Sequence, residues 1–462
     1  MQYDLTVIGS GPGGYVAAIR ASQLGMKTAI IECAEVGGVC LNRGCIPAKS
    51  LLKSMQALEI VKHSTDYGIF VENINADINK TVERAGNISA SMRKGIDMLL
   101  KKNKIELIRG YGRLKTANTI DVSGEECREV TAQHIIIATG ARPKELPALP
   151  VDEKYLLSYR KALFPETVPH SMVIVGSGAI GTELACFYNS AGTKVTLVEF
   201  MPDIVPSEDE EVSAQLSRSL RKAGIKVMTN SSVCSVAVNR DKDECTVEIL
   251  TKKGRETVIC SKVLSAVGVV ANIENIGLEN LGIEVENGKI KTDPFYRTNV
   301  KGVYAIGDVV NSPALAHVAS SEAVTCVEKI AGLDVEPVDY TCIPSCIYTV
   351  PEVASVGMTE RYAKAAGFSV KTGKFPYSAS GKAATAGNRD GFVKLVIDEK
   401  TDKLLGAHLI GLGVTEIIAE LTLALRLNAT GKQIMKTMHP HPTMSEAVAE
   451  AAAAIYGEAV NL

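Results

Sequence analysis

The chain has 462 residues, more than one ordinary core accommodates, so roughly two to four domains are expected. Fifty Lys and Arg against 52 Asp and Glu leave a formal net charge of −2, which supplies no electrostatic footprint for nucleic acid or for an anionic membrane. A composition of 46% hydrophobic and 22% charged residues is ordinary for a globular protein, and a small molecule or another protein is the default partner.

Met1-Gln2-Tyr3-Asp4 runs into an apolar strand that a Gly-rich turn interrupts after about five residues, too short for a signal-peptide core. No later run reaches the ~18 apolar residues of a membrane span, so a cytoplasmic protein is expected. The 11 cysteines are odd in number and irregularly spaced, as reduced intracellular thiols are, so any disulfide is expected to be catalytic.

Residues 4 to 32 read DLTVIGSGPGGYVAAIRASQLGMKTAIIE: a strand, a tight turn with Gly9, Gly11 and Gly14, an amphipathic helix, and a second strand ending in Glu32. The first glycine makes the turn, the second lets the backbone approach a pyrophosphate, and the third lets the helix pack on the strand. The phosphate then sits on the helix N-terminus, and the carboxylate accepts hydrogen bonds from a ribose.

Next comes Gly37-Gly38-Val39-Cys40-Leu41-Asn42-Arg43-Gly44-Cys45-Ile46-Pro47-Ala48-Lys49, with four residues between the cysteines. That loop can close into a disulfide at a helix start, where the helix dipole favours Cys45 as thiolate. Cys33, Cys186 and Cys260 read instead as buried small hydrophobes. Polar helical stretches follow at 46 to 64 and 76 to 103, then an alternating stretch near 105 to 130 that reads as a β-meander. An apolar strand ending Ala138-Thr139-Gly140 closes the copy. A stiff proline-rich crossing occupies 141 to 150.

Residues 171 to 199, SMVIVGSGAIGTELACFYNSAGTKVTLVE, repeat the first unit. Gly176, Gly178, Gly181 and Glu199 stand 167 positions after Gly9, Gly11, Gly14 and Glu32. The second copy closes through another meander, about 225 to 260, and a strand ending at Gly268. It lacks the cysteine segment and is shorter by about 39 residues. Glu199 repels a 2′-phosphate and no Arg or Lys follows until Arg218, so NAD is expected here rather than NADP, with FAD in the first copy beside the cysteines. Cys342 and Cys346 lie in an apolar run without histidine and read as core, so no metal site is expected. Helices are expected at 413 to 428 and at 446 to 457, the latter packed at an interface. By residue type alone Asp308 is a turn or cap residue, His317 an ordinary helix histidine, and His439 and His441 read equally as loop surface residues.

The segment GGVCLNRGCIPAKSLL, the two dinucleotide units, Tyr304-Ala305-Ile306-Gly307-Asp308 and His439-Pro440-His441-Pro442-Thr443-Met444-Ser445-Glu446 together resemble the pyridine nucleotide-disulfide oxidoreductase family, from residue 3 to residue 460. The resemblance implies an α/β fold with two Rossmann-like domains, for FAD (1–146) and NAD (147–268). A central segment (269–338) would complete the FAD site, and a C-terminal α+β dimerisation domain (339–462) would follow. It further implies Cys40 as the interchange thiol, Cys45 as the thiolate against the flavin, and Lys49 near the flavin paired with Glu183. Gly112, Thr139, Gly140, Asp308, Ala316 and His317 would belong to the FAD site. His441 would be the base, oriented by Glu446 and supplied to the other subunit of a homodimer, with His439 secondary. Many members carry an arginine after the glycine closing the NAD domain. This chain has Val269-Val270, so nucleotide binding there would rest on backbone contacts.

Within that family the motifs lie nearest to members that oxidise dihydrolipoamide on a lipoyl carrier protein of a 2-oxo acid dehydrogenase complex or glycine cleavage system, reducing NAD. A glutathione reductase would draw on NADPH, which Glu199 opposes, and a mercuric reductase needs a C-terminal cysteine pair that Gly457-Glu458-Ala459-Val460-Asn461-Leu462 lacks. A non-catalytic subunit of a multienzyme complex predicts loss of Cys40, Cys45 or His441, and all three are present.

Overall fold

The run Tyr3–Ile8 is buried at every position but Asp4, on both faces, as a central parallel strand must be. In the computed structural model, which describes residues 2–462, it pairs in parallel with Thr28–Glu32 on one side and Arg128–Ile137 on the other. Glu106–Arg109 extends the sheet past Thr28–Glu32, and Val303–Ala305 extends it past Arg128–Ile137. The strand Arg128–Ile137 serves twice. Its first residues close an antiparallel meander with Tyr111–Thr116 and Thr119–Ser123, and its last join the parallel sheet.

These elements belong to the first of two compact units, the chain up to Leu51 with Asn79–Lys144 and Gly268–Val338. There the helices Pro12–Gln23 and Ala316–Ile330 pack closely: a Cβ on Gly13 would stand 3.3 Å from the Ala319 carbonyl oxygen.

The second unit comprises Leu52–Ile78, Glu145–Val267 and Asp339–Leu462. Its parallel sheet runs Lys226–Met228, Lys194–Val198, Ser171–Val175, Lys262–Ser265, Leu156–Ser158, repeating the first arrangement around Ser171–Val175. The expected second meander is a separate antiparallel sheet of Ser232–Asn239, Glu244–Thr251 and Gly254–Cys260. Ser261 breaks the chain between that sheet and the closing strand, where the first copy runs straight through.

The C-terminal part of this unit is a five-stranded antiparallel sheet ordered Ser345–Ile347, Glu352–Gly357, Leu404–Gly411, Phe392–Asp398, Val370–Pro376. Side chains alternate between its faces. Val393, Leu395, Ala407 and Leu409 share a core with residues of the helices Val414–Arg426 and Glu446–Ala454. The Ala-rich helix, expected at an interface, therefore buries Ala447, Val448 and Ala451 on the sheet of its own chain.

The opposite face carries a polar row, Ser355, His408, Lys394 and Lys374, side by side on four strands. It meets the acidic start of the helix Glu210–Lys222. Lys394, with its side chain 3% exposed, holds both oxygens of Asp209 at 3.1 Å, Glu211 at 2.8 Å and Glu360 at 2.7 Å. Three carboxylates match the three donors of an ammonium, so the buried charge is compensated and fully hydrogen-bonded. Burial pushes the neighbouring Glu208 carboxyl up to about 7, a Ser355 hydrogen bond opposes this, and the Asp209 charge adds to it. Among the described residues no helix is long and apolar enough to cross a membrane.

A carboxyl raised in the folded state contributes stability that is full below about pH 4.5 and is lost as pH rises through about 7. Glu208→Gln should therefore gain on the parent protein by about 3 kcal/mol between pH 5 and pH 8, read from paired denaturant unfolding curves. A difference between the two proteins that is flat across this range would contradict the assignment.

Candidate functional site

Cys40 and Cys45 form a disulfide with their Cα atoms 4.7 Å apart. Cys40 lies in a short helix, Gly38–Arg43, and Cys45 is the first residue of the next, Cys45–Lys62. Gly44 breaks the two because a Cβ there would crowd Val39 O at 3.0 Å and Cys40 Cα at 3.2 Å. Cys45 thus stands where helical N–H groups favour a thiolate. Lys49 follows one turn later on the same helix, half-buried.

The pair is fastened to the first Gly-rich turn. Gly37 N donates to Ser10 O at 3.1 Å, and Gly38, at φ +64°, lies so close that a Cβ would stand 2.6 Å from Gly11 Cα. Asn42, between the cysteines, is buried and donates to Val36 O and Gly38 O at 3.0 and 2.9 Å, while Arg93 donates to its side-chain oxygen at 2.8 Å. These ties hold the sulfurs next to the turn.

Both Gly-rich turns are built alike. Glu32 Oε2 accepts from Ser10 N and Oγ at 2.8 and 2.6 Å, and Oε1 accepts from Ala34 N at 2.8 Å. Glu199 repeats this with Ser177 N and Oγ at 2.9 and 2.7 Å and with Met201 N at 2.9 Å. Three of about four acceptor positions are taken on each carboxylate, leaving one for a ribose hydroxyl. A Cβ on Gly14 would meet Gly9 O at 1.9 Å, and one on Gly181 would meet Gly176 O at 1.9 Å, so only glycine lets these helices seat. Gly11 and Gly178 begin the two helices without a side-chain cap, which leaves the first N–H groups available to an anion. A Cβ on Gly178 meets nothing within 4 Å, the open space a pyrophosphate needs. Beside Glu32 opens a cavity of ≈ 890 Å³ lined by Cys33, Glu35, Arg43, Arg93 and Tyr111. The residues present fit a dinucleotide at each turn.

The remaining candidates of the first unit gather at the ends of its strands. Gly112 packs against Ile8 and Ile31, where a Cβ would stand 3.2 Å from each methyl. Thr139 Oγ1 donates to Asn272 O at 2.6 Å and Asn272 Nδ2 returns a bond to Thr139 O at 2.9 Å, while Asn272 N donates to Gly140 O at 2.8 Å. Lys144 N bonds Gly268 O, and Val269–Ala271 pairs antiparallel with Ala141–Pro143, so the two crossings between the copies lie side by side. Burial raises the Asp308 carboxyl above its ordinary range, with the Lys289 charge opposing. Gly307 N donates to the buried Glu322 at 2.6 Å. Ala316 begins its helix uncapped, with His317 exposed.

In the second unit Glu183 is buried and accepts from Tyr348 N at 3.0 Å. His441 Nδ1 lies 2.8 Å from Glu446 Oε1, and Thr443 N donates to Glu446 Oε2 at 2.7 Å. Burial works against the Glu446 charge, but the Thr443 N–H and the His441 ring outweigh it and hold the carboxyl below its usual range. The His441 side chain is 79% exposed within its chain. His439 is occupied otherwise, with Nδ1 on Thr437 O at 3.0 Å and Nε2 on Glu420 at 2.8 Å.

Sequence reasoning missed Ser10, Ser177, Asn42, Arg93 and Glu322. The Gly-Ser-Gly spelling shared by both turns was a usable signal for the two serines, whereas nothing local marks Arg93 or Glu322. Two cysteine readings need correction. Cys33 is exposed and lines the cavity, because it follows the last residue of its strand. Cys342 and Cys346 are half-buried rather than core, with Cys342 Sγ turned to Thr422 O at 3.3 Å.

A family model described as pyridine nucleotide-disulphide oxidoreductase matches residues 3–323, and one for the dimerisation domain of such proteins matches residues 343–452. A dihydrolipoyl dehydrogenase of Rhizobium etli is 45% identical, with 99% of each chain covered. One of Bacillus subtilis is 44% identical over 100% of this chain and 99% of that one. Among solved structures, LpdA from Mycobacterium tuberculosis superposes with a TM-score of 0.89 at 26% identity, covering 97% of this chain and 98% of that one. The HOCl-induced flavoprotein disulfide reductase RclA of Escherichia coli shares the fold, with a TM-score of 0.87 at 23% identity, covering 98% of this chain and 99% of that one.

Gly38→Ala adds a methyl where backbone approaches backbone and a side chain at left-handed φ, a combined cost of about 2–4 kcal/mol. Purified Gly38→Ala protein should carry less flavin per chain and re-form the Cys40–Cys45 disulfide slowly after reduction, by visible absorbance and thiol titration. Parent-like values for both would show that the Gly11 contact is dispensable.

Proposed function

Since the chain belongs to the pyridine nucleotide-disulphide oxidoreductase family, we propose that it oxidises carrier-bound dihydrolipoamide to lipoamide at the Cys40–Cys45 disulfide and reduces NAD+ to NADH. FAD and NAD are its cofactors. The observation that carries this reading is the disulfide held against the first Gly-rich turn through Gly38 and Gly11. The substrate class follows the relatives named dihydrolipoyl dehydrogenase.

The roles divide as follows. Glu446 accepts from His441 Nδ1, which leaves Nε2 as the basic nitrogen. His441 takes the proton of one substrate thiol, and the thiolate attacks Cys40 Sγ. The Cys40–Cys45 bond breaks and Cys45 leaves as a thiolate, stabilised at the start of its helix. The second substrate thiol displaces Cys40, its proton passing to the departing sulfur, and lipoamide is released. FAD, held by the Gly9, Gly11 and Gly14 turn and Glu32, would supply the two-electron redox chemistry that links the reduced cysteines to NAD+. Lys49 belongs to the surroundings of the flavin, with Gly112, Thr139, Gly140, Asp308, Ala316 and His317 in its binding site. Gly176, Gly178, Gly181, Glu199 and Gly268 serve NAD, and the Glu199 carboxylate, fixed by Ser177, repels a 2′-phosphate.

The chain carries a dimerisation domain. Within it Leu423, Leu427 and Met438 are exposed, as large apolar residues awaiting a partner are. We assign the working form to a homodimer in the cytoplasm, with each His441 serving the disulfide of the other subunit. The carrier is a lipoyl domain of a 2-oxo acid dehydrogenase complex or of a glycine cleavage system.

Turnover with lipoamide and with glutathione, each with NADH and with NADPH, tests the assignment. The lipoamide and NADH pair should be fastest, and Cys45→Ser should abolish it. A higher kcat/KM with glutathione and NADPH would point to another reductase of this family. His441→Gln should lower dihydrolipoamide oxidation by about 10²–10⁴-fold while leaving flavin reduction by NADH at the parent rate.

A further inference from the structure

We infer that Lys394, a residue of the C-terminal antiparallel sheet, is a positioning residue for NAD: it anchors the segment 200–209 on the second Gly-rich turn. The inference rests on assigning that turn to NAD. The segment begins at Glu199, whose Oε1 accepts from Met201 N at 2.9 Å, and Met201 O accepts from Asn230 N at 2.9 Å. At its middle, Val205 N donates to Ser177 O at 3.1 Å, so the segment bonds directly to the residue between Gly176 and Gly178. Ile204 and Val205 are both buried.

Val205 has φ +42°, a conformation a β-branched residue adopts only when its surroundings dictate it. Those surroundings lie on its C-terminal side. Glu208 N donates to Val205 O at 2.9 Å, and Asp209 caps the helix Glu210–Lys222 by accepting from Glu211 N at 3.1 Å. The Asp209 carboxylate, 2% exposed, receives Lys394 Nζ at 3.1 Å on both oxygens, and Glu211 and Glu360 complete the lysine's partners. The strand Phe392–Asp398 thereby holds the segment from one end, and Glu199 holds it from the other. Lys394 is closed off by carboxylates and has no free donor for a ligand, so its influence on the nucleotide passes through the Val205–Ser177 bond.

The test uses full-length, FAD-loaded protein and NAD+ itself. Lys394→Met should raise KM for NAD+ about tenfold, with kcat at saturating NAD+ and flavin reduction by dihydrolipoamide in the absence of nucleotide both at parent values. Asp209→Asn keeps the helix cap while loosening the hold on Lys394, and should raise KM for NAD+ in the same direction by about threefold; it decides the matter should Lys394→Met fail to fold. An unchanged KM for NAD+ in Asp209→Asn, or a parallel fall in both half-reactions, overturns the inference and leaves Lys394 with a purely structural role. Glu199→Ala separates the two levels. If it too leaves KM for NAD+ unchanged, the assignment of the turn fails. If it raises KM while the Lys394 and Asp209 variants do not, only the role of Lys394 falls.

Discussion

Backbone meets backbone where Gly38 lies on Gly11, and the chemistry of the first unit depends on that contact. A redox disulfide is useful only if its electrons have a short path onward, and here the path is set by the absence of two side chains. Gly37 bonds Ser10, Ser10 bonds Glu32, and Asn42 ties the cysteine loop back to Val36 and Gly38. One connected set of hydrogen bonds therefore positions the sulfurs, the uncapped helix start and the Glu32 carboxylate together. Rigid placement of this kind reduces the reorganisation needed at the moment of reaction.

The duplicated turn shows what is general in this design and what is particular. The Ser–Glu bond recurs at Ser177 and Glu199 with nearly the same distances, because a dinucleotide with a free ribose 2′-hydroxyl is matched by an oriented carboxylate and uncapped N–H groups. The second glycine differs: Gly11 faces Gly38, and Gly178 faces open space. One turn is shared with a sulfur centre and the other stays open, as the proposed binding of an exchanging NAD there requires.

Charge is handled differently in the two parts of the second unit. His441 and Glu446 form an exposed pair, placed as the proposed role of accepting a proton from a substrate that arrives from outside requires. Lys394 and Asp209 are buried together, with Glu211 and Glu360 at the partly exposed rim, and removing one partner of such a buried pair would leave an uncompensated charge. The acidic run Glu208-Asp209-Glu210-Glu211 would pass for a solvated helix start, yet its first two residues are buried against the polar row of the sheet.

The repeat, its glycines and their carboxylates and the cysteine spacing were legible in the sequence because each is a local requirement, whereas the His441–Glu446 interval was legible only through the family resemblance. Positive φ at Gly9 and Gly176, a helix that must touch a turn, and a carboxylate at the end of a strand are written within some thirty residues of one another. The seating of Gly38 on Gly11, the clamp on Asn42 from Arg93, the exposure of Cys33 and the closing of Lys394 by Asp209 were decided by tertiary structure alone. Strand alternation shows that Lys394 and Val393 face opposite ways, but both faces of that sheet are covered. Only the packing of a helix nearly two hundred residues earlier in the chain determines which face receives a lysine and gives it partners.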